Sequence, residues 1–434
     1  MLNFKDLFKL AKEKGIEEFQ ISFSEDDSTS VSVEESRVTS LTISKSSYIS
    51  AKGIYNGKMG RYSTEVISKS EFNTIVDKVI ESAKTITSED EVFIYEGDKK
   101  YKKIKDCFNK ELKEIPLKDK INLCLDTSKI LEAKKDVAVT EVEYDEEEKH
   151  YLMQNSKGLK LTSHENYGSF GPYISVNRDD DTRIGYAQYE SNDFTKFDKE
   201  ALINETYDMA SSSIGAKPVE SGEYEAVLSE YATAILIGIF QGMFSSDNVQ
   251  KNISILKGKE GEKIGSSALT IVDDPFLLHS SSSSSFDTDG VATKYKVLVK
   301  NGVLQGFLYN LKTAKKDGVS STGNARGDNC SPINLYIKPG KKSKDELIKE
   351  IKNGLLITSL QGGHAGANPY SGDFSLQATG YKIVDGKVSS PVALVTVSSN
   401  ILELFKNVSA VSNTLKNGLD SPAIKVKKVA VAGL

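Results

Sequence analysis

The chain has 434 residues, 38% hydrophobic and 27% charged, with a formal net charge of −5 and a pI near 5.7. That length implies two or three domains, and the acidic balance argues against a general nucleic-acid binder. No window approaches the run of about 18 apolar residues that a membrane-spanning helix needs.

The opening MLNFKDLFKLAKEKG places Phe4, Leu7, Phe8 and Ala11 at helical spacing and lacks the apolar core of a signal peptide. A first helix is predicted over residues 3–14, ended by Gly15. Period-two alternation predicts strands over 18–23, 28–34 and 37–44, and a hairpin over 51–63 turning at Asn56-Gly57. Ser70 is the expected cap of a helix with Phe72, Ile75, Val76, Val79 and Ile80 on one face. After a lysine-rich connector come a helix over 117–134, strands over 137–144, 150–155, 159–164 and 167–176, and a helix over 198–214. The acidic runs at 145–148 and 179–181 are expected on solvated turns. In the C-terminal half a strand at 224–228 leads into a helix from Ser229 to Phe244, followed mostly by strands and turns.

The fold class expected is α+β: a mixed N-terminal α/β region followed by a strand-rich C-terminal domain. The division is an N-terminal α+β domain over 1–105, a middle region of antiparallel strands and helices over 106–215, and a C-terminal strand-rich domain over 216–434. Cys107, Cys124 and Cys330 form no CxxC pair, which points to reduced thiols and a cytoplasmic protein.

Residues 354–383, GLLITSLQGGHAGANPYSGDFSLQATGYKI, are too rich in glycine and small polar residues for ordinary core, yet they lie between apolar strand-like runs. Gly362, Gly363, Gly366 and Gly372 suit tight turns or close backbone approach. Gly363, His364, Asn368, Gly372, Asp373 and Ser375 are therefore the candidate cleft. Strand edges beside this loop would bind an extended chain through main-chain hydrogen bonds.

The segments Gly354-Leu-Leu-Ile-Thr-Ser-Leu360, Ser371-Gly-Asp-Phe-Ser375 and Gly380-Tyr-Lys-Ile383 resemble the TldD/PmbA family, the modulators of DNA gyrase. Asp273-Asp-Pro-Phe-Leu-Leu278, Phe286-Asp-Thr-Asp-Gly-Val291 with Thr293, Ser321-Thr-Gly-Asn324, and Pro391 with Val395-Thr-Val-Ser-Ser-Asn-Ile401 follow in the family's order. Catalytic members are similar to zinc peptidases, with two histidines and a glutamate on the helix that matches residues 229–244 and a cysteine ligand near the C-terminus. Zinc needs convergent imidazoles, and a carboxylate must take a proton from the metal-bound water. Here that helix reads YATAILIGIFQGMFSSD, with no histidine or cysteine, and no cysteine follows Val408. The resemblance is thus to the TldE/PmbA branch. It implies no catalytic residues and no cofactor in this chain, with zinc only on a TldD-type partner. It also implies a peptide substrate and a homodimer or heterodimer formed through the C-terminal half.

The remaining candidates read as structural. The four histidines, His150, His164, His279 and His364, have no paired spacing. The serine run 280–285 is expected to be a flexible rim without a pre-organised nucleophile. Asp287 and Asp289 lack the downstream glutamate of a calcium loop, so Asp287 is expected to bind backbone amides in a turn freed by Gly290. No phosphate loop or dinucleotide fingerprint is present. A stand-alone peptidase with another site and a peptide-binding homodimer are the alternatives.

Overall fold

A computed structural model describes residues 3–88, 91–415 and 421–434. Alternation of side chains builds its first sheet. In β1 (Glu18–Glu34) Phe19, Ile21 and Phe23 face one side, and Gln20, Ser22 and Ser24 the other. β2 (Arg37–Tyr55), β3 (Lys58–Thr64), β4 (Val137–Asn155), β5 (Lys160–Arg178), β6 (Asp181–Tyr186) and β7 (Tyr189–Ser191) complete a seven-stranded antiparallel sheet, with path β3-β2-β1-β4-β5-β6 and β7 beside β5. Residues 1–105 and 106–215 thus share one sheet through the β1–β4 pairing.

The apolar face is covered by helices. Phe4, Leu7 and Ala11, in and just before α1 (Lys5–Glu13), and Phe72, Ile75, Val76 and Val79 of α2 (Phe72–Thr85) pack on Phe19, Ile21, Phe23, Ile49 and Ala51. After the one-turn α3 (Lys110–Lys113), α4 (Leu117–Glu132) packs Cys124 against Val31, Val142 and Phe170. α5 (Lys199–Ser211), capped by Asp198, closes the far end. α2 begins after a short 3-10 turn that contains Ser70, so Ser70 is not its cap.

Strands read as pairs from sequence fuse here. Residues 24–27 stay in β1 because they are laddered to β2 and β4, with Lys45 Nζ 3.3 Å from Asp27 and 4.0 Å from Glu25. The acidic run 145–148 is likewise not a turn. It lies inside β4, with Lys120 against Glu146 and Lys113 against Glu148 compensating the charge.

The C-terminal half is strand-rich, as the α+β reading expects. β8 (Gly222–Leu228) is followed by α6 (Glu230–Phe240), capped by Ser229. β9 (Ile271–Asp273), β10 (Lys296–Lys300), β11 (Val303–Leu304) and, after the small ribbon β12 (Ala325–Arg326) and β13 (Asn329–Cys330), β14 (Leu335–Ile337) form a sheet ordered β11-β10-β9-β14. β15 (Asn353–Gln361), β16 (Asp373–Val384), β17 (Lys387–Asn400) and β19 (Ile424–Ala432) join β8 in a closed barrel, because β17 pairs with β19 as well as β16. β18 (Val408–Val411) extends β19 outside the closure. Inward residues such as Leu228, Leu355, Ile357, Leu376, Val397 and Val426 share one core with Leu236, Ile237 and Phe240 of α6. Outward Val227, Leu356 and Ile383 pack under Leu347 and Ile348. No helix among the described residues is long and apolar enough to cross a membrane.

Candidate functional site

The C-terminal half covers part of the polar face of the first sheet. Between them lies a cavity of about 490 Å³. The sheet contributes Ser22, Tyr48, Ser50, Lys52, Lys149 and Tyr151, and the opposite wall is residues 281–284, 286–289 and 325–327. Tyr151 donates to Ser22 Oγ at 2.8 Å. Lys52 Nζ lies 3.7 Å from Asp289, and burial pushes its ammonium below the usual lysine range against Asp289's opposing pull. Gln20 also lines the cavity, is 2% exposed, and leaves its Oε1 without a hydrogen-bond partner among the described residues. A buried orphan carbonyl of this kind costs about 1–3 kcal/mol unless a ligand or water satisfies it. Burial also raises the Glu165 carboxyl on the same wall. The arrangement suits a polar ligand offering both donors and acceptors.

The wall opposite the sheet is held by the segments singled out in the sequence. Asp273 is fully buried and accepts from the amides of Ile333 (2.8 Å) and Asn334 (2.9 Å) and from Asn324 Nδ2 (2.7 Å). Lys296 Nζ completes the group at 3.0 Å, with its pKa lowered by burial and partly restored by Asp273. Asp287 accepts from the amides of Asp289, Val291 and Ala325, as expected, with Gly290 at φ +89°. Burial pushes the Asp287 carboxyl up to about 6 while those amides pull it back. The serine run is stitched down: Ser280 donates to Asn334, Ser283 to Leu277 O, and Ser284 to Phe286 O. The run lines the cavity, as the expected rim, and is hydrogen-bonded into its wall.

The six candidate cleft residues lie elsewhere, at one end of the barrel. Gly363 and His364 sit in a single helical turn, and Asn368 closes the loop by accepting from the amides of Tyr370 and Ser371. Gly372 has φ +82°, and a side chain there would meet Ile255 Cδ1 at 2.6 Å, so its glycine is fixed by shape and conformation together. Asp373 accepts from Asn400 Nδ2 at 2.9 Å, which with Ser371 holds its carboxyl below the usual range. Ser375 accepts from Ser398 Oγ at 2.9 Å. The loop offers no open strand edge, because β16 is paired with β15 on one side and β17 on the other. β2 does have one: β3 covers only Ile49–Tyr55, leaving 37–48 laddered to β1 alone.

On α6, the side chains not fully buried include Tyr231, Ala234, Ile235 and Ile239, none a metal donor set. His279 Nδ1 lies 2.7 Å from Asn192 Oδ1, a loop hydrogen bond as expected. Sequence reasoning missed that His150 and His164 meet: the β4–β5 register sets them directly opposite, beside Glu148. Folding the two strands as one hairpin would have found this.

Two family models match the chain: the PmbA/TldA metallopeptidase central domain over residues 110–214 and the C-terminal domain over residues 221–433. An uncharacterized protein of Methanocaldococcus jannaschii is 30% identical across 98% of this chain and 99% of its own. A metalloprotease of Methanothermobacter thermautotrophicus is 38% identical over 51% of this chain and 50% of its own. A crystal structure from Thermotoga maritima, described as a modulator of a DNA gyrase, superposes with a TM-score of 0.93 at 32% identity over 99% of both chains. TldE of Thermococcus kodakarensis superposes at 0.88 with 25% identity over 99% of this chain and 100% of its own. Of the segments that carry the resemblance, 286–291 lines the cavity through residues 286–289, while Asp273 and Asn324, bonded to each other, brace that wall from the other two; the chain belongs to the PmbA/TldD metallopeptidase family.

Proposed function

We propose that this chain is the peptide-gripping subunit of a cytoplasmic TldD/TldE-type peptidase, working in proteolysis of unfolded peptides beside a TldD-type partner that carries the hydrolytic zinc. The observation that carries the reading is the contrast between α6, which has no histidine or cysteine, and the cavity wall built from family segments. The residues of α6 do not fit a zinc ion, so no hydrolytic step is assigned to them. The chain's contribution is binding and exclusion of water. Its C-terminal half offers exposed Tyr370 (62%) and Leu394 (68%) as contacts for the dimer partner.

The cavity and the glycine-rich loop are separable as peptide grips. Lys52→Met removes one of the cavity's two lysine ammoniums, and Asp373→Asn removes the loop's charge while keeping its shape. In the reconstituted pair, Lys52→Met is expected to raise KM for an unfolded peptide about tenfold with kcat little changed, as loss of uniform binding requires. Asp373→Asn is expected to change KM less than about threefold, since its carboxylate is satisfied within the loop. The reverse order would move the grip to the loop. No effect from either would remove both surfaces from the account.

A further inference from the structure

On the helix-covered face of the first sheet, away from the cavity, three metal-ligating side chains converge. His150 and His164 are direct cross-strand partners, with rings stacked at 3.8 Å between centroids. Glu148 lies two residues from His150 and so on the same face. Its Oε1 is 2.8 Å from His164 Nε2 and 3.2 Å from His150 Nε2, and the three ligand atoms lie within 4.8 Å of one another. Phe108 stacks on the outer face of His164 at 3.9 Å, fixing that ring. The backbone beneath belongs to two paired 19-residue strands.

We propose that Glu148, His150 and His164 form a binding site for a divalent transition-metal ion of the zinc type, separate from α6 and not part of peptide hydrolysis. Tetrahedral zinc holds nitrogen and oxygen donors at about 2.0–2.2 Å, which sets neighbouring donors about 3.4 Å apart. An ion here needs the His150 ring, now only 17° from parallel with His164, to swing until both Nε2 lone pairs meet at the metal, and one carboxylate oxygen to shift outward from its present 2.8 and 3.2 Å. Lys113 Nζ lies against both carboxylate oxygens, 2.7 Å from Oε2 and 2.9 Å from Oε1, so metal binding at Oε1 draws the ammonium back to Oε2, where it makes an outer hydrogen bond of the kind that orients ligating carboxylates. The His150 and His164 side chains are 42% and 38% exposed, so an ion has an entry path and its fourth position opens to water. Two imidazoles with one carboxylate select zinc, cobalt or nickel over calcium and magnesium. The competing account is a hydrogen-bonded cluster in which Glu148 merely pairs with Lys113 and accepts from the two rings.

Cobalt(II) titration of the chelator-treated chain, without any partner subunit, separates the two. The site predicts one ion per chain, a visible absorption spectrum of tetrahedral cobalt, and displacement by zinc. His164→Ala and Glu148→Gln are each expected to weaken binding at least about tenfold, with an unchanged far-ultraviolet circular dichroism spectrum confirming the fold. His150→Asn, which loses metal yet keeps a ring-sized polar side chain, serves if the alanine variant misfolds. No stoichiometric cobalt on the wild-type chain, or equal affinity in His150→Asn, overturns the site. Peptide turnover by the reconstituted pair should survive His150→Asn; its loss would overturn the separation from hydrolysis.

Discussion

Replacing Asp273 by alanine is expected to destabilise the protein by about 3–5 kcal/mol, the cost of leaving a buried charge without its partner. Asp273 is fully buried, and its carboxylate accepts from two main-chain amides and from Asn324 while facing Lys296. Removing it strands the Lys296 ammonium, whose side chain is only 11% exposed. The double change Asp273→Ala with Lys296→Met should lose less than the single change, because it removes the uncompensated charge while leaving the amides unpaired. Urea unfolding curves for the three proteins check this. A loss below about 1 kcal/mol for the single variant would mean that this group does not hold the cavity wall together.

Gly380→Val should be comparably severe, at about 3 kcal/mol or more. A Cβ at Gly380 would lie 1.9 Å from Leu356 O, and both atoms belong to strands of the closed barrel. No side-chain rotation relieves a clash with backbone, so β15 and β16 must separate. The expected result is a low yield of soluble protein and an early thermal transition. A stable Gly380→Val protein with unchanged secondary structure would show that the barrel yields at this ladder.

Period-two alternation made the strands legible, and the Asn56-Gly57 turn stands where the sequence puts it. Strand length was not legible. Breaks were expected after Phe23 and Tyr144 because charged residues follow, but cross-strand lysines and hydroxyls let the ladder run on. The same misreading hid the metal-ligating cluster, since His150 and His164 are neighbours only through the register of a hairpin read as four pieces. The cavity was invisible for a related reason: Gln20, Ser22 and Lys52 look like a solvated strand face until the C-terminal half covers them. The role of Asp287 was legible because an Asp-x-Asp-Gly turn is local chemistry. The glycine-rich loop was singled out for its composition. Its shape explains Gly372 and the Asn368 turn without assigning a ligand.

Under the proposed function this chain grips peptide while a partner supplies the hydrolytic zinc. The decisive measurement is reconstitution with a zinc-bearing TldD-type subunit, followed by turnover of an unfolded peptide. The expected result is no turnover by this chain alone, turnover by the pair, and loss of that turnover when the partner's zinc ligands are changed but not when His150 is. Chelator-sensitive hydrolysis by this chain alone would contradict it.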